Sequence, residues 1–563
     1  MLAILTKFIN QKSAKISSAA ITVAVFGLLS RLFGLWRDRL LAGQFGAGQT
    51  LDIYYAAFKI PDLLYSFLIV GSIAAAFLPV FHEYLVKDKK EAWKIASLTL
   101  NFLFICLIVF SAILIVFSPQ LVYLVAPGFS PAARALTVYM SRIMFLSALF
   151  LGLSSLVSAL LQAFSRFLIT SLAPIFYNLG IIFGILFLVP RFGMAGLAYG
   201  VVIGAAVHFL IQLPVLYGTG FKWQPVFDIK DPGIKKIAKL WIPTLSLAAL
   251  QLNSIVITSI ASILSIGSIA IFNLADNLRW VPIGIVGVAF STAAFPAMSL
   301  AYAQGKKDLF LKRFSLAVRQ TLFIALPATL LIFALRAQIV RLILGTGQFG
   351  WQDTRLTAAA LGVFSFGIFA ATLLPLFTRA FFTFHNTKKP AIINVVSMLI
   401  NIALSFIFIF LLAQIPALNQ FLGNLLRLDG INSAVLVLPL AVVIASIINL
   451  AWHWIGLKKE IGDFGISEIK RSFVKIFIAS VAAVVFTYAG LYFFSLFFNT
   501  QTVVGLLFQT LCAGSLGGIV YLLVALALRM EEVLMFNITG TLFNWRGTNP
   551  EPRPTSDTLD DQY

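Results

Sequence analysis

Fourteen separate stretches of this 563-residue chain are apolar for long enough to cross a bilayer. Crossing the roughly 30 Å hydrocarbon core takes about 20 apolar residues in helical form. The runs near 18–44, 52–84, 93–118, 133–163, 167–190, 194–217, 236–264, 268–302, 309–343, 354–384, 389–413, 432–457, 471–497 and 502–529 meet that length. Inside lipid every backbone N–H and C=O must find a partner within the protein, which a helix supplies along its own length. The expectation is therefore an all-α polytopic membrane protein of about 14 transmembrane helices. Composition matters at one point, because Lys and Arg outnumber Asp and Glu 41 to 21, for a net charge of +20. Such a balance often marks a nucleic-acid protein. With 60% apolar and 11% charged residues, however, the chain cannot cover a soluble globule, since soluble domains hold roughly 45–50% and about 25%.

The surplus of cations sorts itself among the loops. Lys87/Lys89/Lys90, Lys230/Lys235/Lys236, Lys306/Lys307/Lys312/Arg313, Lys388/Lys389 and Lys458/Lys459/Lys470/Arg471 fall between alternate runs. The intervening loops are poor in cations, with Arg134 near one and Arg427 in another. Short loops rich in Lys and Arg stay in the cytoplasm, so both termini are expected there, with an even number of spans. The segment Met1–Ala14 reads as a short amphipathic stretch rather than a signal peptide. The polar, Pro-containing tail from Gly547 to Tyr563 reads as disordered.

The chain also repeats itself. Ala74-Ala75-Ala76-Phe77-Leu78-Pro79 recurs as Thr292-Ala293-Ala294-Phe295-Pro296, and Lys89-Lys90 as Lys306-Lys307. Pro174 and Asn178 recur as Pro390 and Asn394, while Phe129, Arg134 and Leu136-Thr137 recur as Phe349, Arg355 and Leu356-Thr357. A shared period near 216–221 residues marks a duplication. It holds six spans, an even number, so both copies point the same way, as in transporters built from parallel repeats. The expected architecture is two six-helix lobes plus two extra C-terminal helices. Its boundaries are an N-terminal segment 1–17, an N-lobe 18–217, a linker 218–235, a C-lobe 236–457, a helix pair 458–530 and a tail 531–563.

Several patterns carry no chemistry. Gly345-Thr346-Gly347-Gln348-Phe349-Gly350 matches a dinucleotide fingerprint in letters but lies between two spans, without the strand and helix that the fingerprint needs. Gly180/Gly184 and Gly196/Gly200/Gly204 read as small-residue faces where helices approach closely, within the chain rather than between copies. Cys106 and Cys512 offer neither a disulfide framework nor metal spacing, and the four histidines are scattered. No nucleotide-binding, nucleophilic or paired-carboxylate pattern is present, so no enzyme activity, cofactor or metal is expected.

Charges inside the spans are the exception, since each costs roughly 2.5–3.5 kcal/mol at a helix centre. The first span holds Arg31, Arg37, Asp38 and Arg39, and the second holds Asp52, Lys59 and Asp62. Arg31 lies about 20 Å along its helix at 1.5 Å per residue, too deep to snorkel easily. Arg31, Arg37 and Lys59 are read as lining a cationic cavity for an anionic, phosphorylated substrate, because a guanidinium matches phosphate oxygens bidentately. An ion-pair network between Arg31 and Asp38, seven residues apart, is the structural alternative. Asp276 and Arg279 are the candidates on the eighth span and are not expected to share one face.

At this point the sequence resembles the MurJ/MviN family of lipid II flippases, within the multidrug/oligosaccharidyl-lipid/polysaccharide exporter superfamily. The resemblance rests on Ser30-Arg31-Leu32-Phe33-Gly34-Leu35-Trp36-Arg37-Asp38, Phe45-Gly46-Ala47-Gly48 with Asp52, and Ala57-Phe58-Lys59-Ile60-Pro61. It continues through Ala76-Phe77-x-Pro79, Ala126-Pro127-Gly128-Phe129, Arg166-Phe167 with Pro174 and Asn178, and Gln251-x-Asn253. Ala275-Asp276, Arg379-Ala380-Phe381 and Thr387-Lys388-x-Pro390 complete it, over roughly residues 20–460.

The resemblance implies a fourteen-helix flippase that carries polyprenyl-diphosphate-linked peptidoglycan precursor, lipid II, from the inner to the outer leaflet of the bacterial plasma membrane by alternating access. It maps the family's cavity arginines onto Arg31 and Arg37 and its acidic position onto Asp52, and it places the polyprenyl tail between the last two helices. This chain departs from the family pattern by carrying Tyr65 and Asn277 where arginines are common, and Val70 where a glutamate is common. Tyr65 and Asn277 can donate hydrogen bonds to phosphate or sugar without charge, and Arg279 is expected to face elsewhere. The expected partners are lipid II and membrane lipids, with cell-wall synthesis enzymes as further candidates, no nucleic acid, and a monomeric state. Export of another polyprenyl-linked glycan, and a non-transporting scaffold, are the competing functions.

Overall fold

The computed structural model describes residues 16–67, 74–241, 249–415 and 433–536. The N-terminal stretch, the Val70 position, Arg427 and the polar tail named above lie outside the described residues. All the described secondary structure is helical. The first half contains α1 (Ile16–Phe45), α2 (Gln49–Tyr65), α3 (Ala74–Lys87), α4 (Lys89–Val116), α5 (Ser118–Val125), α6 (Pro131–Ala163), α7 (Phe167–Phe183) and α8 (Ala195–Leu210). The second half contains α9 (Pro232–Trp241), α10 (Ala249–Ile263), α11 (Ser268–Pro282), α12 (Ala289–Ala303), α13 (Lys307–Ile343), α14 (Trp351–Thr383), α15 (Lys388–Gln414) and α16 (Val437–Ile461). The chain then adds α17 (Ile466–Phe494) and α18 (Val503–Ala527).

Eleven helical spans among the described residues are long and apolar enough to cross a membrane. The first expected span is the 30-residue α1. The second and seventh are helical over their described parts, as α2 with α3 and as α9 with α10. The eighth span, Ser268–Ala303, is 36 residues long and would stretch to about 54 Å if straight. Pro282 interrupts it, and a π-helical segment, Ile283–Val288, joins α11 to α12. A proline removes an N–H and crowds the preceding turn, which is a standard origin of such distortions.

One pair of elements related by the sequence repeat corresponds in the structure. α6 and α14 are both 33 residues long and begin at matching places. Each ends in a turn with a non-glycine residue at positive φ, Ser165 at 56° and His385 at 57°. Aromatic pairs sit beside those turns: Trp93 stacks 5.2 Å from Phe164, and Phe310 meets Phe384 edge-on at 5.1 Å.

Lipid is as apolar as leucine, so helix association in a membrane depends on close packing. At the α7–α8 crossing, Gly180 meets Gly204 and Gly184 meets Gly200, and a Cβ on any of them would fall on the opposing backbone. These glycines are therefore an internal packing face, as their spacing implied. Each half also buries a polar cluster. In the first, Ser154 Oγ lies 2.7 Å from His208 Nδ1, Gln212 Nε2 donates to Ser154 Oγ (2.6 Å), and Ser158 Oγ donates to Gln212 Oε1 (2.7 Å). In the second, Asn401 donates to Asn253 (2.9 Å) and Asn449 to Asn394 (3.0 Å), around a cavity of about 200 Å³.

The two ends of the bundle differ. At one, which we call the lysine end, Glu83 takes contacts from Lys87 (3.3 Å) and Lys236. At the other, the glycine end, the halves are stitched together. Gln348 N donates to Gly43 O (2.8 Å), Arg39 Nη1 to Leu342 O (2.5 Å), and Ala47 N to Asp353 Oδ2 (3.2 Å). The glycine-rich loop 345–350 makes this seam: Gly347 has φ of 55°, and a Cβ on it would fall on the Gly43 carbonyl.

Candidate functional site

Below the glycine-end seam, the charged residues of α1 and α2 converge on one helix, α11. Arg31 lies partly exposed on α1, and its Nη1 donates to the backbone carbonyl of Trp280 at 3.2 Å. Its guanidinium rests against Gly284, where a Cβ would collide with it. Arg31 has no carboxylate partner among the described residues, so the expected alternative of an Arg31–Asp38 network is not formed.

Asp38 instead takes its own neighbour. Arg37 Nε and Nη2 donate to Asp38 Oδ1 at 3.0 and 2.8 Å, and Arg37 Nη1 donates to Asn178 Oδ1 at 3.1 Å. Asn178 is itself held through Nδ2 by Pro174 O at 3.0 Å. The second Asp38 oxygen reaches across the halves and accepts from Asn277 Nδ2 at 3.1 Å. Asp38 is only 3% exposed, and a buried carboxylate needs such partners to stay charged. Arg37 is thus already neutralised, whereas Arg31, two turns deeper, is not.

Lys59 on α2 forms the third bridge, donating to Ser254 Oγ (2.9 Å) on α10 and Asn273 Oδ1 (3.3 Å) on α11. Tyr65, one and a half turns on, is half-buried and packs against the main core. Asn277 was read as a donor for phosphate or sugar, but in this state its amide is engaged by Asp38.

Three expected residues are held by other contacts. Asp52 accepts from the backbone N–H of Gly267 (2.6 Å) and Ala270 (2.8 Å), so it caps the first turn of α11 from the other half of the chain. A carboxylate at a helix N-terminus satisfies orphan donors and meets the positive end of the dipole. Gly267 carries φ of 90°, and a Cβ there would fall on the Ala47 carbonyl, so this junction admits little else. Asp276 and Arg279 do share a face, contrary to the sequence reading: Arg279 Nη2 lies 2.5 Å from Asp276 Oδ1. Residues three apart on a helix are neighbours. Arg279 then stacks on Phe364 of α14, 4.4 Å from the ring centroid, and is 7% exposed. It thus lies against α14, whereas Asn277 meets Asp38 of α1.

Sequence reasoning missed Asp38 as the bridge, and Asn273, Ser254, Gly284 and the Trp280 carbonyl as partners. Asp38 was legible as the last residue of the quoted first-span motif. The carbonyl and the glycine carry no sequence signal of their own.

Comparison with known proteins gives a consistent picture. The family model for lipid II flippase MurJ matches residues 41–512. A probable lipid II flippase MurJ of Buchnera aphidicola from Schizaphis graminum is 30% identical over 539 residues, covering 94% of this chain and 99% of that protein. The lipid II flippase MurJ of Burkholderia cenocepacia is 28% identical, covering 84% of this chain and 96% of its own. Among solved structures, a lipid II flippase MurJ in an inward closed conformation superposes with a TM-score of 0.72 at 24% identity, over 90% of this chain and 99% of the other. An inward-facing multidrug transporter of the MATE family superposes at 0.63 and 14% identity, over 80% and 99%.

Proposed function

From its place in the MurJ family of lipid II flippases, to which this chain belongs, we propose that it carries lipid II from the inner to the outer leaflet by alternating access. The observation that carries the mechanism is Arg31: a cation at mid-depth whose only described hydrogen bond is to a backbone carbonyl. A neutral carbonyl is a weak competitor for a guanidinium against a diphosphate, since hydrogen bonds between ionised partners are roughly twice as strong. A diphosphate arriving beside α11 would therefore draw Arg31 off Trp280.

The remaining geometry supports the same reading. The glycine-end seam closes one face while the lysine end gathers the loop cations, so the substrate would enter from the cytoplasmic side, where both termini lie. The repeat is read as two lobes, 18–217 and 236–457, rocking about the α1–α11 contact, with the helix pair 458–530 beside them. Because Arg31, Arg37–Asp38 and Lys59 all bridge the lobes, a ligand that recruits these donors loosens the bridges as it binds. The chain acts as a monomer in the plasma membrane and makes no covalent change to its cargo.

Depletion complementation tests this. The chain should sustain lipid II export in a bacterium depleted of its own flippase. Arg31→Ala should lower transport by about 100-fold, the scale of one or two charge-assisted hydrogen bonds, with normal membrane expression. Growth that fails with the wild-type chain fully expressed, or Arg31→Ala at full activity, would sink the proposal.

A further inference from the structure

A second cationic pocket lies well away from α1 and α11. It is a cavity of about 440 Å³ at the glycine end, where α13 and α14 meet the C-terminal pair α17 and α18. Its wall includes Gln338, Arg341, Arg355 and Gln509, with Trp351 and Tyr492 at the rim, 64% and 77% exposed. That volume falls within the roughly 300–1,000 Å³ typical of ligand sites.

Three features of this pocket point to a lipid phosphate. The first is where its cations lie. Arg341 and Arg355 sit at the end opposite the lysine loops, where cations are sparse in this chain. The second is how Arg341 is held. Other arginines near this end are engaged by the protein: Arg39 by the Leu342 carbonyl, and Arg134, the repeat counterpart of Arg355, by Pro127 O at 2.8 Å and by the Tyr123 ring at 4.7 Å. Arg341, by contrast, has neither a carboxylate nor a hydrogen-bond acceptor among the described residues. The third is the rest of the lining. Gln338 Oε1 is buried without a partner, an acceptor suited to a hydroxyl, and Gln509 is fixed by its Nε2 donating to Leu491 O at 2.7 Å. Trp and Tyr at the rim are the side chains that settle at the boundary between hydrocarbon and headgroups.

We propose that this pocket binds the phosphate of an anionic phospholipid from the adjoining leaflet, a phosphoglycerol headgroup with its phosphate on Arg341 and a hydroxyl on Gln338, with Arg355 adding positive charge to the wall. Basic pockets between membrane helices take lipid headgroups in this way, and a guanidinium matches phosphate oxygens bidentately where an ammonium cannot. The bound lipid would fasten α17 and α18 to α13 and α14 at the glycine end, independently of what the α1–α11 site carries.

The test uses the full chain in nanodiscs of neutral phosphatidylcholine doped with phosphatidylglycerol, released into a mass spectrometer that counts retained lipids. The wild-type protein should keep one phosphatidylglycerol. Arg341→Gln with Arg355→Gln should lower its occupancy by about tenfold, equivalent to one charge-assisted contact at 1.4 kcal/mol per tenfold, and Arg341→Lys should retain an intermediate share. Thermal melting of each variant checks folding, and the Lys variant keeps the test open if the double variant unfolds. Equal retention in the double variant, or no preference for phosphatidylglycerol over phosphatidylcholine, would overturn the proposal. Displacement by millimolar inorganic phosphate, or by undecaprenyl diphosphate at equal mole fraction, would reassign the pocket to a soluble anion or to the transported lipid and overturn it as well.

Discussion

The two walls that meet at mid-depth are chemically unlike. The wall built by α1 and α2 brings the charges: Arg31, the Arg37–Asp38 pair and Lys59. The wall built by α10 and α11 answers with neutral hydrogen-bond partners, the Trp280 carbonyl, the Asn277 amide, Ser254 and Asn273, while its carboxylate near Lys59, Asp276, is paired with Arg279 of the same helix. Ion pairs across this interface would lock it, since removing one partner of a buried pair leaves an uncompensated charge worth several kcal/mol. Neutral partners hold the same cations more loosely. The asymmetry therefore keeps the interface both closed and releasable, which an anion-dependent rocking motion requires.

Gly284 is the sharpest place to break that asymmetry without touching a charge. Its missing side chain is what lets the Arg31 guanidinium lie on α11. Gly284→Ala should push the flexible end of Arg31 away from the α11 face where the diphosphate arrives, with little loss of fold, and lower lipid II binding and transport by about tenfold, against about 100-fold for deleting the guanidinium. Binding of labelled lipid II to purified protein, alongside a melting curve, checks this. Unchanged affinity would mean that the seat on Gly284 is incidental.

How far these walls were legible in the sequence follows from what each interaction depends on. The all-helical membrane fold was readable because apolar length is a local property: against fourteen expected spans, eleven helical spans among the described residues are long and apolar enough, and the repeated spacing finds a counterpart in two 33-residue helices. Arg31, Arg37 and Lys59 were readable because a charge in an apolar run is conspicuous. Their partners were not. The Trp280 carbonyl is 249 residues from Arg31, and any residue type carries a carbonyl. The family resemblance placed Asp52 among the substrate residues, and nothing local reveals that its oxygens end on the amides of Gly267 and Ala270. Asp276 and Arg279 needed only helical geometry, and their pairing was available from the three-residue spacing.

Asn277 permits a change in the opposite direction. Asn277→Arg would place a cation on the neutral wall, facing Asp38 across the 3.1 Å contact that the amide now makes. Two outcomes compete: an added cation raises affinity for a diphosphate, while a new ion pair with the buried Asp38 stiffens the interface. If neutral partners are what permit release, lipid II affinity should rise by about three- to fivefold, roughly 0.7–1 kcal/mol, while transport per bound lipid falls by a similar factor. Transport rising together with affinity would show that neutrality of the second wall is not what permits release.

The smallest effect on the substrate is expected at Asp52, because it belongs to neither wall's cation set. Its oxygens lie 2.6 and 2.8 Å from backbone N–H groups of the α11 first turn, so its work is to hold the start of the helix on which both walls meet. Asp52→Ala removes the cap and should cost about 1 kcal/mol of stability, within the usual 0.5–2 kcal/mol for such residues. Asp52→Asn keeps an acceptor and should cost less, losing mainly the attraction of a full charge to the helix dipole, about 0.3–1 kcal/mol. Lipid II affinity at a temperature well below melting should be unchanged in both. An affinity loss in Asp52→Asn comparable to that of Gly284→Ala, without a matching loss of stability, would return Asp52 to the binding site and extend the charged wall to the glycine end.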